Sequence, residues 1–240
     1  MQDNDASDVV CRNGGEHMKG KLLVKGLVKY FSGLLIIIAL LFIPAGTFSY
    51  YNGWLFIGLL FVPILAVGIV LFLKEPGLLE KRLDAKEKES EQRGVIFISG
   101  AMFISGFIAS GLNYRFGWII IPDIAVIAAS VLFLISYVMY AEVLRENTYL
   151  SRTVKVEEGQ KVIDSGLYGI VRHPMYSATV IMFLSIPLIL GSPISFLIFL
   201  IYPVIIAKRI KNEEKLLENG LRGYAEYKKK VRYRLVPFVW

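Results

Sequence analysis

Apolar and polar residues are sorted into long alternating blocks along this chain. Apolar runs cover residues 30–48, 54–73, 95–112 and 118–141, with short polar stretches between them. A bilayer core takes about 20 apolar residues per helix, so these runs predict four membrane-spanning helices. Asn52-Gly53 turns the chain between the first two, and residues 113–117 turn it between the third and fourth. Two shorter runs, 175–190 and 194–207, flank Gly191-Ser192-Pro193. They predict a short helical hairpin whose ends extend into the adjoining polar segments. Pro174 suits the first turn of the helix it opens. The fold class expected is therefore all-α and polytopic, with about six transmembrane helices including this C-terminal hairpin.

The polar blocks divide the chain further. Residues 1–29 read as a polar cytosolic tail, disordered over the first eighteen residues, and 30–141 as a four-helix membrane part. Residues 142–240 read as the part that carries chemistry. Within it, Val154, Val156, Val162 and Ile163 alternate loosely with polar residues around Glu157-Glu158-Gly159, which suggests a hairpin-like or irregular surface segment. Leu216, Leu217, Leu221, Tyr224 and Tyr227 recur at helical spacing with lysines between them. This predicts an amphipathic cytosolic helix over 213–230, with Gly220 and Gly223 as its weak points. The third apolar run is rich in small residues (Gly100, Ala101, Ser105, Gly106, Ser110, Gly111), which let helices approach closely in lipid, so this helix belongs inside the bundle.

Charge sets the orientation. If both termini are cytosolic, 26 of the 27 Lys and Arg residues fall on cytosolic segments and Arg115 alone falls outside. Tyr50, Tyr51, Trp54, Tyr114 and Trp118 then lie at the outer boundary, where amphipathic rings belong. The first residues are polar and acidic and do not read as a secretory signal.

Composition narrows the choices. Hydrophobic residues make up 55% of the chain, above the roughly 45–50% of soluble domains. The net charge of +7 comes without any nucleic-acid recognition motif. One cysteine, Cys11, and two histidines, His17 and His173, exclude an internal disulfide and argue against a metal site. The middles of the apolar runs hold no isolated charge, which argues against an ion or proton pathway.

Two polar clusters flank the predicted hairpin: Arg172, His173 and Tyr176 before it, and Arg209, Glu213 and Glu214 after it. A hairpin brings both to one membrane face. Arg172 and Arg209 supply fixed positive charge for a carboxylate or phosphate. Glu213 and Glu214 suit an amine or sulfonium, His173 can serve as acid or base, and Tyr168, Tyr176 and Tyr224 add rings and hydroxyls. A zwitterionic, cationic ligand carrying an aromatic base matches the set, S-adenosylmethionine among such ligands; the residues by themselves leave a nucleotide open.

The motif Gly166-x-Tyr168-x-x-x-Arg172-His173-Pro174-x-Tyr176, with Arg209-x-x-x-Glu213-Glu214-x-x-Leu217 and then Tyr224-x-x-Tyr227 and Pro237, resembles the isoprenylcysteine carboxyl methyltransferase and phospholipid methyltransferase superfamily. Asn147-Thr148-Tyr149 and the residues leading to Gly166 resemble its approach segment, so the likeness covers about 145–240. The resemblance implies S-adenosyl-L-methionine held at the cytosolic face by Tyr168, Arg172, His173, Pro174, Tyr176, Glu213 and Glu214, with Arg209, Glu213 and Arg172 as catalytic candidates. It implies methyl transfer to a lipidated or lipid-like acceptor entering from the bilayer, an isoprenylcysteine-type α-carboxylate first and a phospholipid amine second. Related sterol-reductase-like proteins share parts of the C-terminal pattern and use a nicotinamide cofactor. A non-enzymatic lipid-binding membrane protein is the remaining alternative. Membrane lipids are expected partners; nucleic acid and metal are not.

Overall fold

The structure is a computed structural model that describes residues 3–83, 90–147, 149 and 159–240, with the backbone alone at 3–19, 81–82 and 90–93. Among the described residues it is helical, with no strand. In chain order the helices are α1 (Asp3–Ala45), α2 (Tyr51–Lys74), α3 (Pro76–Leu83), α4 (Ser90–Phe116), α5 (Asp123–Glu146), α6 (Pro174–Ile189), α7 (Pro193–Phe199), α8 (Ile201–Gly220) and α9 (Tyr224–Lys230). Their ends follow local chemistry. Pro76, Pro174 and Pro193 each open a helix, where a missing N–H costs nothing. Gly46 and Gly117 close α1 and α4 at φ 70° and 62°, a region open to glycine at no steric cost.

Five helical segments are long and apolar enough to cross a membrane: Gly20–Ala45, Tyr51–Lys74, Gly94–Phe116, Asp123–Glu146 and Pro193–Gly220. α6 is a shorter apolar helix. The predicted hairpin is therefore unequal. Only Leu200 separates α7 from α8, and its backbone (φ −61°, ψ −15°) is itself helical, so the two run on as one long span. The expected amphipathic segment over 213–230 is helical and is interrupted at the two glycines named for it. Residues 213–220 are the end of α8; Gly223, at φ 87°, then turns the chain before α9 starts at Tyr224. Leu221, Tyr224, Tyr227 and Val231 still share one small apolar cluster, supported by Val162 and Leu217. At the other terminus, the segment expected to be disordered continues α1 as helix back to Asp3. The 74–93 loop contains α3. Val154, Val156, Glu157 and Glu158 of the expected surface hairpin lie outside the described residues.

Two glycines of α4 are used for packing. A methyl on Gly106 would lie 2.3 Å from the Phe199 ring, and one on Gly111 would lie 2.5 Å from the Leu41 carbonyl. Close approach of α1 and α7 to α4 thus depends on these two glycines. Ser195 Oγ donates to the Gly106 carbonyl at 2.9 Å, fixing the α4–α7 register. Phe103 meets Phe183 and Phe199 edge to face at 4.9 and 5.3 Å.

Three loops meet at one end of the bundle. Tyr50 Oη donates to the Leu190 carbonyl (2.5 Å), Asn113 Nδ2 to the Gly191 carbonyl (3.2 Å) and Tyr114 Oη to the Ser49 carbonyl (2.9 Å). The α1–α2, α4–α5 and α6–α7 turns therefore lie together. The start of α6 and the end of α8 lie at the opposite end, where the two polar clusters converge.

Candidate functional site

Gly166 begins the site. Its φ is 53°, and a methyl there would press on the Glu146 side chain at 3.1 Å. The turn of 3-10 helix that follows, Gly166–Gly169, buries Tyr168. Asn147 Nδ2 donates to Tyr168 Oη (2.9 Å), and Tyr227 Oη donates to the Tyr168 carbonyl (2.7 Å). Burial pushes the Tyr168 hydroxyl up to about 12, against the lowering effect of the Asn147 contact, so it is a neutral phenol at physiological pH. Burial raises Tyr224 and Tyr227 as well.

The next residues pair with the C-terminal segment through the backbone. The N–H groups of Arg172 and His173 donate to the carbonyls of Tyr233 and Arg234, each at 2.9 Å. Ser177 Oγ donates to the Leu235 carbonyl at 2.6 Å. The start of α6 is thereby tied to residues more than fifty positions away.

Two layers of side chains result. In the inner layer, Arg172 Nε donates to Glu214 Oε1 (2.8 Å), and one Arg172 terminal nitrogen donates to the carbonyls of Val231 (2.8 Å) and Arg232 (2.7 Å). Arg234 Nε takes the other Glu214 oxygen at 2.9 Å, and His173 Nε2 lies 3.4 Å from Oε1. The Arg172 and Glu214 side chains are each only 4% exposed. A charge so far from water is tolerable only when paired and hydrogen-bonded, and here both are.

In the outer layer, Tyr176 Oη donates to Glu213 Oε2 (2.7 Å) and accepts from Arg209 Nε (2.8 Å). The Arg209 guanidinium carbon lies 5.8 Å from the centre of the Tyr176 ring. Arg209 and Glu213 are four residues apart on α8 and so share a face. Glu214 is one residue further, about 100° round the helix, and points away.

These side chains wall an open cleft of about 100 Å³. Tyr168, His173, Tyr176, Arg209, Glu213 and Tyr224 line it, as do Gln160 and Lys161. Arg172 also reaches its wall. Glu214 and Pro174 do not: Pro174 is buried at the first turn of α6, and Glu214 faces a surface hollow with Lys208, Lys211 and Lys215. The Tyr224 hydroxyl is buried with no hydrogen-bond partner among the described residues. Arg234 was not legible as part of the site; its 62-residue separation from Arg172 carries no periodic signal.

Residues 119–219 match the family model of the isoprenylcysteine carboxyl methyltransferase (ICMT) family. That stretch contains both polar clusters and all of α6, α7 and most of α8. The fold agrees over nearly the whole chain. The eukaryotic intramembrane Ras methyltransferase ICMT superposes with a TM-score of 0.58 at 14% identity, covering 98% of this chain and 86% of that one. Sequence relatives of this chain also include sterol reductases. The delta(14)-sterol reductase TM7SF2 of Mus musculus is 32% identical over 91 residues, 37% of this chain and 22% of the relative. The delta(14)-sterol reductase of Methylotuvimicrobium alcaliphilum is 28% identical over 93 residues, 38% and 22% respectively. The matched stretch thus spans about a fifth of each of these relatives.

Proposed function

We propose that the chain is an integral membrane methyltransferase that uses S-adenosyl-L-methionine and methylates the α-carboxylate of an isoprenylcysteine-type acceptor at the cytosolic face. The carrying observation is the Tyr176–Arg209–Glu213 cluster on the cleft wall, inside the segment matched by the ICMT model. The residues present suit the cofactor: a carboxylate for its cationic groups, aromatic faces that attract a sulfonium, and the orphaned Tyr224 hydroxyl. Tyr168, His173, Tyr176 and Glu213 would hold it, while Arg172, Pro174 and Glu214 build the wall behind. When bound, it supplies a methyl group already activated by the sulfonium.

The protein's own work is alignment and exclusion of water. Arg209 orients an acceptor carboxylate, which has no proton to lose. For the runner-up acceptor, a phospholipid amine, Glu213 is the group placed to take the proton. The acceptor's apolar tail lies among the helices. The distribution of Lys and Arg supports a cytosolic position for both termini.

The sterol-reductase relatives support a second reading, a nicotinamide-dependent membrane reductase, and one experiment separates the two. Detergent-purified protein is titrated calorimetrically with S-adenosylhomocysteine and with NADPH, and methyl transfer to farnesylcysteine is followed alongside. Binding of the first and not the second, weakened in Glu213→Gln, supports the transferase. Binding of NADPH alone assigns the reductase, and binding of neither leaves the lipid-binding protein.

A further inference from the structure

A second cavity lies outside the cleft and shares no residue with it. It runs between α1 and α2, below the point where Tyr30 Oη donates to the Phe61 carbonyl at 3.3 Å and the two rings meet edge to face at 5.4 Å. α3 crosses beneath it: Leu79 and Leu83 face the space, and the Lys29 ammonium donates to the Leu83 carbonyl. The groove has a volume of about 410 Å³ and its wall is apolar except for Lys29 and the Tyr30 hydroxyl. Two glycines leave it open. A methyl on Gly68 would meet nothing within 4 Å, and one on Gly26 would meet only Leu83, at 3.8 Å.

Charge is arranged beside this groove. Lys21, Lys25 and Lys29 recur every four residues on α1, which puts them along one helix face. The ridge lies at the end of the Gly20–Ala45 span, where headgroups would sit, next to the groove-lining Leu22 and Gly26. An apolar slot flanked along α1 by a row of ammonium groups fits an amphiphile with an anionic head and a hydrocarbon tail.

We propose that this groove binds one anionic phospholipid of the bilayer, with an acyl chain between α1 and α2 and the phosphate at Lys21, Lys25 and Lys29. The bound lipid ties α3 beneath the first two spans. The cleft walls all come from residues 147 onward, so the site acts apart from methyl transfer and stands whether or not the proposed reaction does.

The test uses the full chain in mild detergent, read by native mass spectrometry with phosphatidylglycerol or phosphatidylcholine added. The wild type should retain one phosphatidylglycerol with about tenfold preference over phosphatidylcholine. Gly68→Trp should fill the slot and lose the adduct while still eluting as a monodisperse species. The triple change Lys21→Gln, Lys25→Gln, Lys29→Gln should keep a lipid but lose the preference, and it decides the matter if the tryptophan variant does not fold. Equal retention of the two lipids by the wild type overturns the proposal, as does an unchanged adduct in a folded Gly68→Trp. Displacement of phosphatidylglycerol by farnesylcysteine would instead make the groove the seat of the acceptor's tail, and would also overturn it.

Discussion

Glu213 and Glu214 are neighbours in sequence with opposite surroundings. Glu214 sits between Arg172 and Arg234 with almost no exposure; Glu213 faces the cleft and accepts from Tyr176. Removing Glu214 leaves the buried Arg172 without its counter-charge, so Glu214→Ala should cost about 3–5 kcal/mol of stability, visible as a large fall in detergent melting temperature. Glu213→Gln keeps the shape and a hydrogen-bond acceptor. Its melting temperature should stay close to wild type while methyl transfer falls on the order of 100-fold. The opposite pattern, with Glu213 structural and Glu214 needed only for activity, would reverse the assignment of the two layers. Tyr168 adds a pH signature. Its hydroxyl is raised from 10.0 to about 12 in the fold, so the stability it contributes is whole below about pH 10 and disappears as pH rises toward 12. The gap in melting temperature between wild type and Tyr168→Phe should therefore be level through neutral pH and shrink above pH 10.

At the scale of elements, close packing of α4 carries the bundle. The 2.3 Å approach of a Gly106 methyl to Phe199 leaves no room for a side chain. Gly106→Val should destabilise by about 1–3 kcal/mol through overpacking. Phe199→Ala in the same chain should recover part of that loss, because the two sites are in contact and their effects do not add. Simple additivity in a melting series would show that α4 and α7 do not meet this way. The inner role of this helix was readable from its small residues, since close backbone approach in lipid demands them. The continuity of α7 with α8 was readable from the single apolar run 194–207, and the break at Leu200 was not. Gly191-Ser192-Pro193 marks a break plainly, whereas nothing in the apolar run around Leu200 tells a kink from a straight span. The reach of α8 through Glu213 to Gly220 was hidden for a related reason: its lysines and leucines fit an interfacial helix and the end of a transmembrane one equally well.

For the whole molecule, the three linked loops at one end and the polar layers at the other require the spans to alternate in direction. The sequence expectation assigns 26 of the 27 basic residues to one side of the membrane, and the cleft's side is proposed as that cytosolic one. Cys11 is the single native thiol and serves as a reporter. An impermeant maleimide applied to intact cells should leave Cys11 unlabelled until the membrane is opened. Tyr51→Cys, placed in a Cys11→Ser background at a position 79% exposed at the other end, should label at once. Labelling in the reverse order would turn the protein over in the membrane and remove the cleft from the cytosol.

Hydropathy and charge, read along the sequence alone, determined the membrane class, the approximate number of spans and their alternation, because bilayer thickness fixes helix length and basic residues mark one face. The motif residues likewise marked the two segments that meet at the cleft. Tertiary structure decided how those residues divide. Arg172 and Glu214 turn inward to each other because the segment from Val231 to Leu235 folds back against the start of α6 and brings Arg234 and two carbonyls to them. Tyr176, Arg209 and Glu213 are left on the open wall. That division depends on contacts between residues far apart in the chain, and no local period or spacing encodes them.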